Sequence, residues 1–250
     1  RARDINALFH DDDVKAILCL NGGYGSARIL DKLDYEYIAS HPKLVVGFSD
    51  VTALQIALWE KCRLVTANGP LMVTLGGSDA YTAGQFFQGL TTDAWRGPLA
   101  LPAGRKLTTV VPGQAEGPIV GGNLTVLTSL VGTPYALDGT GCILVLEDTG
   151  EDAYRIDRML NQLWQSGLLS RVAAIAYGDF TDRPNDPGDF TTDQVLDYYA
   201  HLAGKPAIKG LPVGHTRDKA FVPYGVKVRL DADREGASLT FIDVCGLRPL

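Results

Sequence analysis

Through its first hundred residues the chain alternates short apolar runs with stretches of helical period. Residues 14–20 (VKAILCL) read as a buried strand that ends in the glycine turn Asn21-Gly22-Gly23-Tyr24-Gly25. A short helix is expected over residues 26–33, with Ser26 available as its N-cap. Residues 44–48 (LVVGF) form a second strand. In the following stretch, 49–62, Leu54, Ala57, Leu58 and Cys62 make a helical stripe. Residues 64–67 form a third strand. Strands alternating with helices predict an α/β fold, a parallel sheet covered by helices.

The pattern changes over residues 96–118, where four prolines and four glycines cluster and only 107–111 looks like a strand. This stretch is the expected linker between two domains. Beyond it, a helix is expected at 124–131. A strongly apolar strand at 142–146 ends in Glu147-Asp148. Helices are expected at 154–164 and 191–202, with a strand at 172–177 between them. Residues 226–230 and 238–242 read as a closing strand pair.

Composition removes several classes of function. With 46% hydrophobic and 21% charged residues over 250 positions, the chain has the means to bury a core and is not a disordered one. Its 23 basic and 29 acidic side chains give a net charge of −6, which argues against a nucleic-acid partner. No apolar run approaches the roughly 18 residues of a membrane span, so no membrane partner is expected. The cysteines, Cys19, Cys62, Cys142 and Cys245, show no C-x-x-C spacing and so no zinc or redox motif. A reducing compartment fits them.

The sharpest chemical feature is Gly47-Phe48-Ser49-Asp50 at a strand-to-helix junction. A serine there can project its hydroxyl from the top of a sheet, with the next amide at a helix N-terminus facing an oxyanion. That is the logic of a nucleophile elbow, although Val51 stands where its second glycine would be. A helix N-cap is the alternative role of the same serine. A nucleophilic serine needs a base and a group to orient that base. Among His10, His41, His201 and His215, the last is best placed, in the loop LPVGHT after a short apolar run. A turn histidine bonded to backbone is equally compatible with that position. Glu147, Asp148 and Glu151 are the candidate orienting acids. An acid ending a buried strand, as Glu147 does, is expensive without a partner. The glycine turn at 21–25 could bring a second amide to the site.

Taken in order, six stretches resemble the LD-carboxypeptidase family of serine peptidases, which also contains microcin C self-immunity peptidases. They are VKAILCLNGGYGSARILDKLDY, HPKLVVGFSDVTAL, NGP, GGNLTVL, LVLEDTGEDAYRIDRMLNQL and LPVGHT. The resemblance implies an N-terminal Rossmann-like domain (1–95) carrying the nucleophile and a C-terminal mixed α/β domain (119–250) carrying the other two triad residues. It implies Ser49 as nucleophile, His215 as general base and Glu147 as the acid holding the imidazole. The backbone amides of Asp50 and Gly23 would form the oxyanion hole, with no metal or cofactor. It further implies a homodimer in the cytoplasm that removes terminal D-alanine from murein tetrapeptide during cell-wall recycling. Two departures stand out. Asn21 replaces the arginine that usually precedes the double glycine. The family's usual first βα segment also has no counterpart before Arg1, so the first sheet is expected to lack a strand.

Within the family the rival substrate is a peptide-nucleotide or aminoacyl-adenylate analogue. It would call for an aromatic wall, for which Trp95, Trp164 and Tyr177 are candidates. Outside enzymes, the alternative is a Rossmann-like ligand-binding module with Ser49 as a cap only. Asp148, Arg155, Arg183 and Arg217 are candidate contacts for charged substrate groups.

Overall fold

The structure, a computed structural model, describes residues 1–91, 96–182 and 190–242. The strands are β1 (Ala16–Leu18), β2 (Leu44–Gly47), β3 (Thr66–Asn68), β4 (Gly97–Pro98), β5 (Thr108–Val111), β6 (Gly113–Asn123), β7 (Ile143–Thr149), β8 (Ala174–Thr181), β9 (Ala207–Lys209), β10 (Val222–Tyr224), β11 (Lys227–Ala232) and β12 (Ala237–Phe241). The helices are α1 (Ala2–His10), α2 (Tyr35–Ser40), α3 (Thr52–Cys62), α4 (Met72–Leu75), α5 (Ala80–Thr91), α6 (Leu124–Ser129), α7 (Ala153–Gln165), α8 (Leu168–Arg171) and α9 (Thr192–Ala203). The α/β class read from the alternation is what forms.

Two mixed sheets carry the fold. The first has the order β1-β2-β3-β10, with its first three strands parallel and β10 antiparallel to β3. The second has the order β4-β12-β11-β6-β7-β8-β9-β5, with a parallel centre from β6 to β9 and antiparallel flanks. Strand β7 is buried on both faces along almost its whole length, which is why its sequence runs apolar without alternation. Helix α7 instead turns one face inward, burying Ile156, Leu160 and Leu163. Each such side chain contributes about 1.5–3 kcal/mol of burial.

One hydrophobic cluster joins the two sheets, taking Val45, Phe48 and Leu54 from one and Val120, Leu144 and Leu160 from the other side. At this junction α3 sits directly on β6. The Asn123 N–H donates to Thr52 Oγ1 at 3.0 Å. A Cβ on Gly122 would lie 2.5 Å from that same oxygen, and one on Gly121 would lie 2.0 Å from the Val145 carbonyl oxygen. Bare backbone is therefore what lets β6 approach α3 at Gly122 and β7 at Gly121.

Several expectations are revised. Residues 96–118, read as a linker, supply β4, β5 and the start of β6 to the second sheet. Pro98 lies in the edge strand β4, and Pro102 and Pro112 lie outside the strands, where a missing N–H costs no ladder bond, whereas Gly113, Gly117 and Pro118 lie within the interior strand β6. The helix at 26–33 is a 3-10 turn, Ser26–Lys32, capped by Gly25. Ser26 caps nothing, because its N–H and hydroxyl both donate to Asp50 Oδ2. Strand β7 runs through Glu147 and Asp148 to Thr149, slightly beyond the expected end. No helix among the described residues is long and apolar enough to cross a membrane.

Candidate active site

Ser49 follows β2 at the top of the first sheet and opens a 3-10 turn, Ser49–Val51, that runs into α3. Its φ of 64° lies in the left-handed region, which non-glycine residues avoid. The N-cap positions of this turn and of α3 are Phe48 and Val51, so Ser49 caps neither. The turn is tight enough that a Cβ on Gly47 would meet both Val51 methyls at 3.0 Å, so the first glycine of the elbow is required by packing. The glycine turn at 21–25 lies beside it. A Cβ on Gly22 would fall 3.2 Å from Ser49 Cβ and 3.3 Å from Ser49 Oγ. Gly23 adopts φ 97° with open space around it. The Asp50 carboxylate accepts from the Ser26 N–H and hydroxyl, and so ties the segment after the glycine turn to the elbow.

The structure brings Ser49, His215 and Glu147 into one chain of hydrogen bonds. His215 Nε2 is 3.0 Å from Ser49 Oγ, and His215 Nδ1 is 3.0 Å from Glu147 Oε2. With Nδ1 protonated, Nε2 is left as the acceptor facing the hydroxyl. The Glu147 side chain is fully buried. Burial pushes its pKa above the ordinary carboxylate value, while the hydrogen bond and charge of His215 pull it back. The edge of the Phe48 ring packs on the imidazole, with centroids 5.0 Å apart.

The loop bearing His215 is held from two sides. Asp179 N–H donates to the Val213 carbonyl, and Leu211 N–H donates to that of Tyr177. Arg105 binds both Asp179 carboxylate oxygens and donates to the carbonyls of Gly210 and Leu211. Gly214, at φ 130°, passes over Glu147 so closely that a Cβ would lie 3.0 Å from Oε2.

The other candidates separate from this relay. Asp148 is buried and accepts from Asn123, Thr125 and Thr149, so it organises the ends of β6 and β7. Glu151 pairs with Arg155 on the surface of α7. His10 and His41 stack on Tyr37, and His201 bonds the Asp197 carbonyl. Tyr177 is fully buried with its hydroxyl on the Leu196 carbonyl, so it walls no pocket. Trp164 packs against the core from α7. Arg217 is exposed. Trp95, Arg183 and Cys245 lie outside the described residues. Cys19, Cys62 and Cys142 are unpaired. Burial pushes the Cys19 and Cys142 thiols up to about 11, so neither is a thiolate at neutral pH. Two side chains beside the relay carry no signal in the sequence. They are Phe48, a core-like residue by pattern, and Lys219, whose ammonium lies 5.3 Å from the Phe48 ring centre.

Comparison with known proteins gives the family. The family model of the LD-carboxypeptidase N-terminal domain matches residues 1–69, and that of the C-terminal domain matches residues 116–230. The chain belongs to the LD-carboxypeptidase family. It is 39% identical over 245 residues to a probable murein peptide carboxypeptidase of Bacillus subtilis, covering 95% of this chain and 75% of that one. It superposes on the crystal structure of muramoyltetrapeptide carboxypeptidase from Oxalobacter formigenes with a TM-score of 0.85 and 31% identity, covering 100% of this chain and 83% of that one. The microcin C7 self-immunity protein of Escherichia coli is 29% identical over 278 residues, covering 96% of this chain and 78% of that one.

Proposed function

We propose that this LD-carboxypeptidase family member is a serine-type carboxypeptidase that hydrolyses an L,D-peptide bond and releases terminal D-alanine from murein tetrapeptide. The observation that carries the reading is the relay Ser49 Oγ, His215, Glu147, with both links at 3.0 Å. His215 Nε2 takes the hydroxyl proton as Ser49 Oγ bonds to the scissile carbonyl carbon. Charge collects on the carbonyl oxygen, which the amides of Asp50 and Gly23 stabilise. The proton on Nε2 then passes to the departing amine as the C–N bond breaks, leaving an acyl-serine. Water repeats the sequence in reverse roles and frees the enzyme. Glu147 stays ionised and holds the imidazole in the tautomer this requires. The substrate follows the carboxypeptidases of Bacillus subtilis and Oxalobacter formigenes named above. The cell-wall recycling role, cytoplasmic setting and homodimer rest on the family resemblance.

The test is hydrolysis of murein tetrapeptide by wild type and Ser49→Ala, with product masses recorded. Wild type is expected to yield tripeptide and D-alanine. Ser49→Ala is expected to lose on the order of 10⁶-fold in kcat. Retained turnover by that variant removes the serine from the mechanism. An aminoacyl-sulfamoyl adenosine assayed in parallel separates the immunity-type reading, for which cleavage would exceed that of the tetrapeptide.

A further inference from the structure

The loop that carries His215 continues through Thr216, Arg217 and Asp218 to Lys219. Lys219 is partly buried, and its ammonium lies 5.3 Å from the centre of the Phe48 ring. The same ring sits edge-on to His215 at 5.0 Å, so the ammonium is no more than about 10 Å from the imidazole centre. Its one hydrogen-bond acceptor among the described residues is the Thr216 carbonyl, which leaves two N–H donors unused. Burial lowers its pKa from the usual lysine value, while Asp79, Glu147, Asp218 and Asp179 act on it from a distance to keep it charged. The neighbouring cations are placed differently. Arg105 is already spent on Asp179 and two carbonyls, and Arg217 is exposed.

We propose that the Lys219 ammonium binds the free carboxylate of the amino acid that the enzyme releases, and so sets a preference for C-terminal acids over amides. The inference rests on the carboxypeptidase reading above. The departing amine must lie at His215 Nε2 to receive its proton, which puts the released residue on the His215 side of the scissile bond. The carboxylate carbon of that residue is only two bonds from the amine nitrogen. Phe48 packs on the imidazole, and the Lys219 ammonium lies over Phe48. A partly desolvated ammonium with spare donors becomes favourable when a carboxylate arrives, and a charge-assisted hydrogen bond of that kind is the stronger type. The aromatic face beneath it adds to holding the cation in place.

The experiment compares kcat/KM for murein tetrapeptide ending in free D-alanine and in D-alaninamide. It uses wild type, Lys219→Met and Lys219→Arg. Methionine keeps the stem over Phe48 while removing the charge. Wild type should prefer the acid. Lys219→Met should lose about 10- to 100-fold on the acid, chiefly in KM, with the amide little changed, so that the acid-to-amide ratio collapses. Lys219→Arg should recover part of the ratio. An unchanged ratio in Lys219→Met, or equal losses on both substrates, overturns the assignment while leaving the carboxypeptidase reading intact. A wild type that cleaves neither peptide overturns both.

Discussion

Glu147 carries the largest electrostatic cost in the site. Its side chain has no solvent exposure, and placing a carboxylate there costs several kcal/mol that one imidazole contact offsets only in part. Its folded pKa is raised above the unfolded value, so the ionised form in which Glu147 holds the imidazole costs more in the folded chain than in the unfolded one. The stability this group contributes is therefore full below the unfolded pKa and is lost as pH rises through the folded pKa. Glu147→Gln has no charge to bury. It should melt above wild type at neutral pH, and the gap should close below about pH 4, where the carboxyl is protonated even when unfolded. Activity should move the other way, with kcat falling about 10⁴-fold because the amide no longer fixes the imidazole tautomer. Thermal melts across pH, paired with kcat, check this. A Gln variant that is less stable at every pH would mean that the carboxylate strengthens the fold instead.

The elbow formed by β2, the 3-10 turn and α3 stores a second cost. Ser49 at φ 64° holds the left-handed conformation, worth roughly 1–2 kcal/mol against a residue with a Cβ. Ser49→Ala and Ser49→Gly both remove the hydroxyl, and only glycine relieves the backbone. Ser49→Gly should be more stable than Ser49→Ala by about 1 kcal/mol, or a Tm higher by roughly 2–4 °C for a chain of this size. Equal melting temperatures would show the turn to be unstrained. This elbow, β7 and α7 are legible in the sequence because each obeys a local rule: an apolar run for a strand buried on both faces, a helical stripe for an amphipathic helix, a glycine where the turn is crowded. Strand β10 is not legible. It has three residues with a central proline, and its partner β3 is far away along the chain. The strands within 96–118 were hidden by the glycines and prolines that make the stretch look like a linker. At the site, the types Ser, His and Glu were readable. Their meeting was not, because Ser49 and Glu147 stand 166 and 68 positions from His215. Lys219 was invisible for the same reason, since only the fold sets it over Phe48.

At the scale of the molecule, we read two lobes, residues 1–91 and 96–242 among those described, because 96–118 join the second sheet, with the site built across their junction. Ser49 comes from the first lobe, and Glu147 and His215 come from the second. The lobes are also cross-tied. Strand β10 of the second completes the sheet of the first, and Asn123 bonds Thr52 across the junction. The turn after β10 presses on Trp59, where a Cβ on Gly225 would come within 2.8 Å of the indole. A shared core and a strand exchanged between sheets make separate unfolding costly, because releasing one lobe exposes apolar surface of the other. Trp59 lies in the first lobe against the second lobe's Gly225, and Trp164 lies in the second, so variants keeping only one of them report the junction and the second lobe. In urea both fluorescence transitions, the loss of helical circular dichroism and the loss of peptidase activity should share one midpoint. Two resolved midpoints, with activity following the earlier, would mean that the junction is a contact between independent domains and that the relay is lost by their separation.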